Sequence, residues 1–116
     1  MPEGALLAAR VADDKLGRDA VVLGVGPLLG VVDAFVITSG SNSRHVKTLV
    51  EEVERRLKQE AGLSPTSVEG LADATWVLMD YGDFLVHVFS EEARTFYDLE
   101  HLWGGAARVP WQVSPD

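Results

Sequence analysis

The sequence predicts an α/β fold in which a small mixed sheet carries helices, and three observations predict it. Apolar residues between Arg44 and Ala61 recur at steps of three and four, the period of an amphipathic helix. Two short apolar runs rich in valine and isoleucine, at 20–25 and 33–38, have the length and composition of strands. Two further runs, Thr75 to Asp80 and Asp83 to Phe89, are rich in apolar and aromatic residues and flank Tyr81-Gly82, the pattern of a hairpin.

Taken in order, residues 3–16 read as an alanine-rich helix whose apolar stripe is Ala5, Ala8, Ala9, Ala12 and Leu16, with Gly17 placed to end it. A strand at 20–25 runs into a loop, Gly26 to Gly30, and a second strand follows at 33–38. Ser39 to Ser43 form a turn in which Ser43 is suited to cap the next helix. That helix buries Val46, Leu49, Val50, Val53 and Leu57 and stops at Gly62. Residues 63–74, with Pro65 and Gly70, read as a loop before the hairpin. Ser90 caps a last helix over about 91–103, which packs through Phe96, Tyr97, Leu99 and Leu102 and ends at Gly104-Gly105. The expected organisation is one domain over 1–107 and a C-terminal tail over 108–116, extended or loosely docked.

Composition narrows the function. The chain has 116 residues, 47% hydrophobic and 24% charged, an ordinary globular balance, and no cysteine, so disulfides and thiolate zinc sites are excluded. Its three histidines are too scattered to suggest a metal site by spacing. A net charge of -8 argues against a phosphate-neutralising surface, so no direct DNA binding is expected. The same charge suits a basic partner or simply keeps the chain soluble. No apolar run approaches the ~20 residues of a membrane span, and Met1 to Gly4 carries no basic region ahead of an apolar stretch. The expected compartment is the cytoplasm.

With a two-residue loop at Tyr81-Gly82, Asp80 lies opposite Asp83, Leu78 opposite Leu85, and Trp76 opposite His87. These six share one face. The other face, Val77, Met79, Phe84, Val86 and Val88, is wholly apolar and should pack beneath the helices. A face of one large aromatic, two leucines, two carboxylates and a histidine is either an ordinary half-solvated sheet face or a binding surface.

The catalytic readings fail on pattern. Gly24 to Gly30 lacks the spacing of a dinucleotide fingerprint, and Pro27 removes a backbone N–H where phosphate donors are needed. Gly40-Ser41, between a strand and a helix, resembles the turn of a nucleotidyltransferase. Those enzymes need closely spaced carboxylates for divalent ions, and here the next acids are Glu51 and Glu52; Asp33, Asp80 and Asp83 are the remaining metal-ligand candidates, and strand-edge aspartates more often cap turns. Ser43, His45 and Asp33 form a weak triad pattern, better read as a cap and surface residues. No catalytic residue, metal or cofactor is therefore expected.

Several separated motifs combine into one resemblance. Asp33 to His45 (DAFVITSGSNSRH), Val68-Glu69-Gly70, Trp76 to His87 (WVLMDYGDFLVH) and Arg94 to Trp103 (RTFYDLEHLW) follow in order and spacing those of the ribosomal silencing factor (RsfS, Iojap) family. The likeness covers about residues 3–107; beyond Val109 no motif matches. The resemblance implies a nucleotidyltransferase-like fold without the catalytic carboxylates, and a homodimer when free. It implies binding to the large-subunit ribosomal protein L-fourteen, which blocks joining of the subunits and represses translation when nutrients are scarce. Organelle relatives act in large-subunit assembly. On this reading Trp76, Leu78 and Leu85 are apolar anchors, and Asp80, Asp83 and His87 are polar contacts. Tyr81, at the hairpin tip, and Tyr97 stand second.

Overall fold

In the computed structural model, which describes residues 1–112, the predicted helices and strands are present, with three short elements added and the last helix split. They are α1 (Glu3–Asp14), β1 (Arg18–Gly24), α2 (Gly26–Leu29), β2 (Ala34–Gly40), α3 (Ser43–Ala61), β3 (Ser67–Glu69), β4 (Trp76–Asp80), β5 (Phe84–Ser90), α4 (Glu91–Tyr97), α5 (Leu99–Leu102) and β6 (Ala107–Arg108). Among the described residues the strands form a six-stranded sheet in the order β3-β4-β5-β2-β1-β6. The central β2 and β5 are parallel and every other neighbouring pair is antiparallel, so the sheet is mixed.

One face lies under α1 and α3. Ala5, Ala8, Ala9 and Ala12 are small enough to bring α1 close to the sheet, and the stripe from Val46 to Leu57 packs beside them over Val22, Val36, Val77, Met79, Phe84, Val86 and Val88. Burying those valine, leucine and phenylalanine side chains, at about 1.5–3 kcal/mol each, is the main source of stability. The second face carries a smaller cluster, Leu23, Val25, Val32, Phe35, Ile37 and Phe89, covered by Ala93 and Leu99 of the short C-terminal helices and by Trp103.

Several local expectations are corrected. Leu16 does not join the apolar stripe: it takes the left-handed conformation that ends α1 (φ 65°) and is 78% exposed. The loop at Gly26 closes into a helical turn, with the Gly30 N–H donating to the Gly26 carbonyl (2.9 Å). The cap of α3 is Asn42, whose side chain accepts from the His45 N–H at 2.8 Å; Ser43 is the first helical residue. Residues 67–69, read as loop, pair with β4 as an edge strand. The last helix breaks at Asp98 (φ 47°) into α4 and α5, which leaves Phe96 79% and Leu102 72% exposed instead of packed. Ser90 does cap α4, accepting from the Ala93 N–H at 3.2 Å, and Gly62 ends α3 in the left-handed region.

The hairpin register is shifted by two residues. Trp76 pairs with Phe89, Leu78 with His87 and Asp80 with Leu85. The Tyr81 N–H donates to the Phe84 carbonyl (3.1 Å), so the loop is Gly82-Asp83. Glycine decides this: at φ 94° Gly82 takes the first central position of a primed turn, which favours glycine. A shift of two preserves the faces. Trp76, Leu78, Asp80, Leu85 and His87 still share one, but Asp83 moves into the turn.

The C-terminal segment closes on the core. Trp111 is buried, its indole N–H donates to the Ala20 carbonyl (2.8 Å), and its own carbonyl accepts from Arg10 Nε (2.7 Å). Residues 113–116, the rest of the expected tail, lie outside the described residues.

Gly70 has a firm steric requirement. Its φ is 89°, and a Cβ there would collide with the Trp76 carbonyl oxygen. Gly70→Ala is therefore expected to cost about 2 kcal/mol, because left-handed strain and displacement of the loop from β4 add together. Chemical denaturation of the variant against the parent checks it; an unchanged midpoint would show that the loop relaxes freely.

Candidate partner-binding face

The sheet register sets out the second face as rows of neighbours. One row runs Glu69, Leu78, His87, Ile37 and Val21; the next runs Ser67, Asp80, Leu85, Phe35 and Leu23. Helices α4 and α5 with Trp103 cover the part over β2 and β1. Over β3, β4 and β5, Trp76, Leu78, Asp80 and Leu85 are half-buried and reach the surface, with Glu69 exposed beside them.

Trp76 is the centre of an aromatic group. Its ring stacks on Phe89 (5.0 Å between centroids) and lies 4.7 Å from Tyr97. Its indole N–H donates to His87 Nδ1 at 3.1 Å. Tyr97, half exposed at the end of α4, thus joins the face, although it is a helical residue distant in sequence. Phe96 meets Tyr97 edge-on at 5.0 Å.

His87 is not a surface contact. It is only 4% exposed and packs edge-on against Phe35 (4.8 Å), which in turn meets Trp103 edge-on (5.4 Å). Burial pushes its pKa down to about 4, so the ring is neutral at physiological pH. Since Nδ1 accepts from Trp76, the proton sits on Nε2, which finds no hydrogen-bond partner among the described residues.

The two aspartates and Tyr81 separate in role. Asp80 Oδ1 accepts from the Gly82 N–H (2.8 Å), bracing the turn, while its side chain borders Leu85. Asp83 is exposed in the turn, and its carbonyl accepts from the Asp33 N–H (2.8 Å). Tyr81 belongs to the opposite face: it stacks on Phe84 (4.8 Å, 6° between planes) and packs against the core below the helices. Desolvation, followed by the nearby Glu54 charge, raises its pKa to about 12. The structure thus brings together Trp76, Leu78, Asp80, Leu85 and Tyr97 on the surface, places His87 behind it, and sets Tyr81 apart. Sequence reasoning missed Glu69, Phe89 and Phe35. The alternation of Ser67, Val68 and Glu69 signals Glu69, though three residues are too few to read as a strand.

Arg94 ties α4 to the sheet and so holds Tyr97 in place. Its Nε donates to Glu100 (2.8 Å), Nη1 to the Arg18 carbonyl (2.7 Å) and Ser39 Oγ (3.2 Å), and Nη2 to the Asp19 carbonyl (2.7 Å). Asp19 has a φ of 43°, so the guanidinium steadies a strained turn. Arg94→Ala is expected to lower stability by about 2 kcal/mol, since charge-assisted bonds to several acceptors are lost together. Thermal unfolding of the variant checks this; a loss no larger than for an exposed arginine would mean that water replaces the network.

The enzymatic constellations do not assemble. Gly40 and Ser41 lie at one end of β2 and Asp33 before the other, roughly 23 Å away at strand rise. Asp80 and Asp83 lie at the Asp33 end. Ser41 and His45 are occupied with each other: the Ser41 N–H donates to His45 Nδ1 (2.9 Å), and His45 Nε2 donates to the Lys15 carbonyl (2.8 Å), clipping the end of α1 to the start of α3. Asp33 therefore completes neither a metal pair with Gly40-Ser41 nor a triad with His45.

The family model described as "ribosomal silencing factor during starvation" matches residues 1–115. The chain belongs to the ribosomal silencing factor family. The match runs through Trp111, so the family likeness extends past Val109, where the motif reading stopped. Ribosomal silencing factor RsfS of Halalkalibacterium halodurans is 37% identical over 103 residues, covering 89% of this chain and 87% of that protein. A crystal structure of a Chromobacterium violaceum protein superposes with a TM-score of 0.84 at 33% identity, covering 98% of this chain and 95% of that one. A mouse relative, "Mitochondrial assembly of ribosomal large subunit protein 1", is 33% identical over 88 residues, 74% of this chain and 39% of its own length. Membership of the ribosomal silencing factor family ties the chain to regulation of translation at the ribosome.

Proposed function

We propose that this protein is a non-catalytic repressor that binds the large-subunit ribosomal protein L-fourteen and sterically blocks joining of the small and large subunits under nutrient limitation. The observation that carries the reading is the open part of the second face. There a tryptophan, a tyrosine and two leucines stand among carboxylates, on a chain whose net charge of -8 suits a basic partner. Aromatic anchors rimmed by charge are the usual composition of an interface centre. Occupancy alone produces the effect: a bound globule denies its footprint to the other subunit, and no bond is made or broken. The proposed setting is the cytoplasm, with a homodimer as the free form.

The deciding experiment adds purified protein to separated subunits and follows joining by sedimentation. Co-sedimentation with large subunits and fewer joined particles are expected. Undiminished joining at saturating protein would end the silencing reading. A second reading, a large-subunit assembly factor using the same face, is favoured by the name of the mouse relative. Particle profiles of a deletion strain separate the two: immature large subunits indicate assembly, and unrepressed translation in starvation indicates silencing.

A further inference from the structure

His87 occupies a position where an apolar side chain would cost less. It is buried among Phe35, Trp76 and Phe89, and its Nε2–H has no hydrogen-bond partner among the described residues, an arrangement that subtracts from stability. Leucine or phenylalanine would fill the space without that penalty. What the imidazole supplies in return is one acceptor, Nδ1, and its donor is the indole N–H of Trp76 at 3.1 Å.

Trp76 needs such a tether. Its other neighbours, Phe89 and Tyr97, touch it through ring contacts, which resist tilting far more than they resist sliding or turning in plane. The hydrogen bond to a buried, immobile ring fixes the remaining freedom. It also engages the indole N–H inside the protein, so a partner meets the ring and not its donor.

We infer that His87 is a positioning residue for the interface: its Nδ1 holds the Trp76 indole in its binding orientation before the partner arrives, and the requirement at this position is for an acceptor, not for histidine. The inference rests on the proposed reading that Trp76 anchors the partner. A preordered anchor binds more tightly because its ordering entropy is spent on folding and not on docking.

Asparagine and leucine have nearly the same shape, and asparagine Oδ1 falls near the place of Nδ1. The test compares His87→Asn and His87→Leu for affinity to purified large subunits, with Trp76→Ala as reference. Asparagine should bind within about threefold of the parent and leucine on the order of tenfold more weakly, the effect of one hydrogen bond. A core-filling role predicts the reverse order, since leucine is the better apolar filler. If Trp76→Ala binds as the parent does, the reading of the face fails. If Trp76→Ala is weakened while the two variants at 87 bind alike, the inference about His87 fails and the face survives. Should either variant not fold, the unaltered protein decides: the Trp76 indole N–H, assigned by nuclear magnetic resonance against Trp76→Phe, must exchange slowly with solvent, and fast exchange overturns the inference.

Discussion

Trp76→Ala is expected to weaken binding to purified L-fourteen protein by about 3 kcal/mol, on the order of 100-fold in Kd. The size follows from position. Trp76 is half-buried, supported by Phe89, Tyr97 and His87, and shares its face of β4 with Leu78, so it is a braced aromatic projection on the open face. Preordered aromatic side chains carry the largest truncation costs at interfaces, whereas charges at the rim mainly change association rate and salt dependence. Asp83→Asn, in the exposed turn, is the matching control and should lose less than about fivefold, more at low salt than at high. Titration calorimetry on variants shown to be folded by circular dichroism measures both. Equal losses for the two substitutions would relocate the interface.

The second large effect is on acid stability. His87 is neutral in the folded protein, its pKa pushed down to about 4 by burial, while in the unfolded chain a histidine titrates near 6.5. Protonation would put a second N–H at Nδ1, facing the indole N–H that now donates to it. Between these pH values the unfolded chain binds the extra proton and the folded one does not. The contribution of His87 is therefore complete above about pH 6.5 and is lost as the pH falls toward 4, by about 3 kcal/mol in total. Denaturant midpoints across this window should fall steeply for the parent and be flatter for His87→Leu. Parallel curves for the two proteins would mean that His87 protonates without cost.

What the sequence revealed, and what it hid, follows from how far each signal reaches along the chain. The stripe of Val46, Leu49, Val50, Val53 and Leu57 repeats within one helix, and it predicted α3 and its buried face. The two-residue period along β4 and β5 placed every residue but Asp83 on the correct face, because a two-residue error in register leaves side-chain direction unchanged. The register itself turned on one glycine, Gly82, whose place in the turn depends on backbone dihedrals that composition does not report. The break at Asp98 was hidden for the same reason, and with it the exposure of Phe96 and Leu102. The burial of His87 was invisible because its cover, Phe35 and Trp103, comes from elsewhere in the chain. Arg94 reads as a helix-surface arginine until its acceptors at positions 18 and 19 are seen beside it.

The parallel contact between β2 and β5 at the middle of the sheet bears on how the molecule is made. Each ladder partner in it is distant in sequence, Ala34 with Phe84 and Gly40 with Ser90, whereas β1 with β2 and β4 with β5 are joined by short connections. Two local ribbons can therefore form early, with the facing edges of β2 and β5 still bare, and the chain must then close a long loop to zip them together. Until it does, the β2 edge of one molecule is as good a mate for the β5 edge of a neighbour as for its own. Refolding should slow and yields should drop as concentration rises, with exchanged dimers among the by-products.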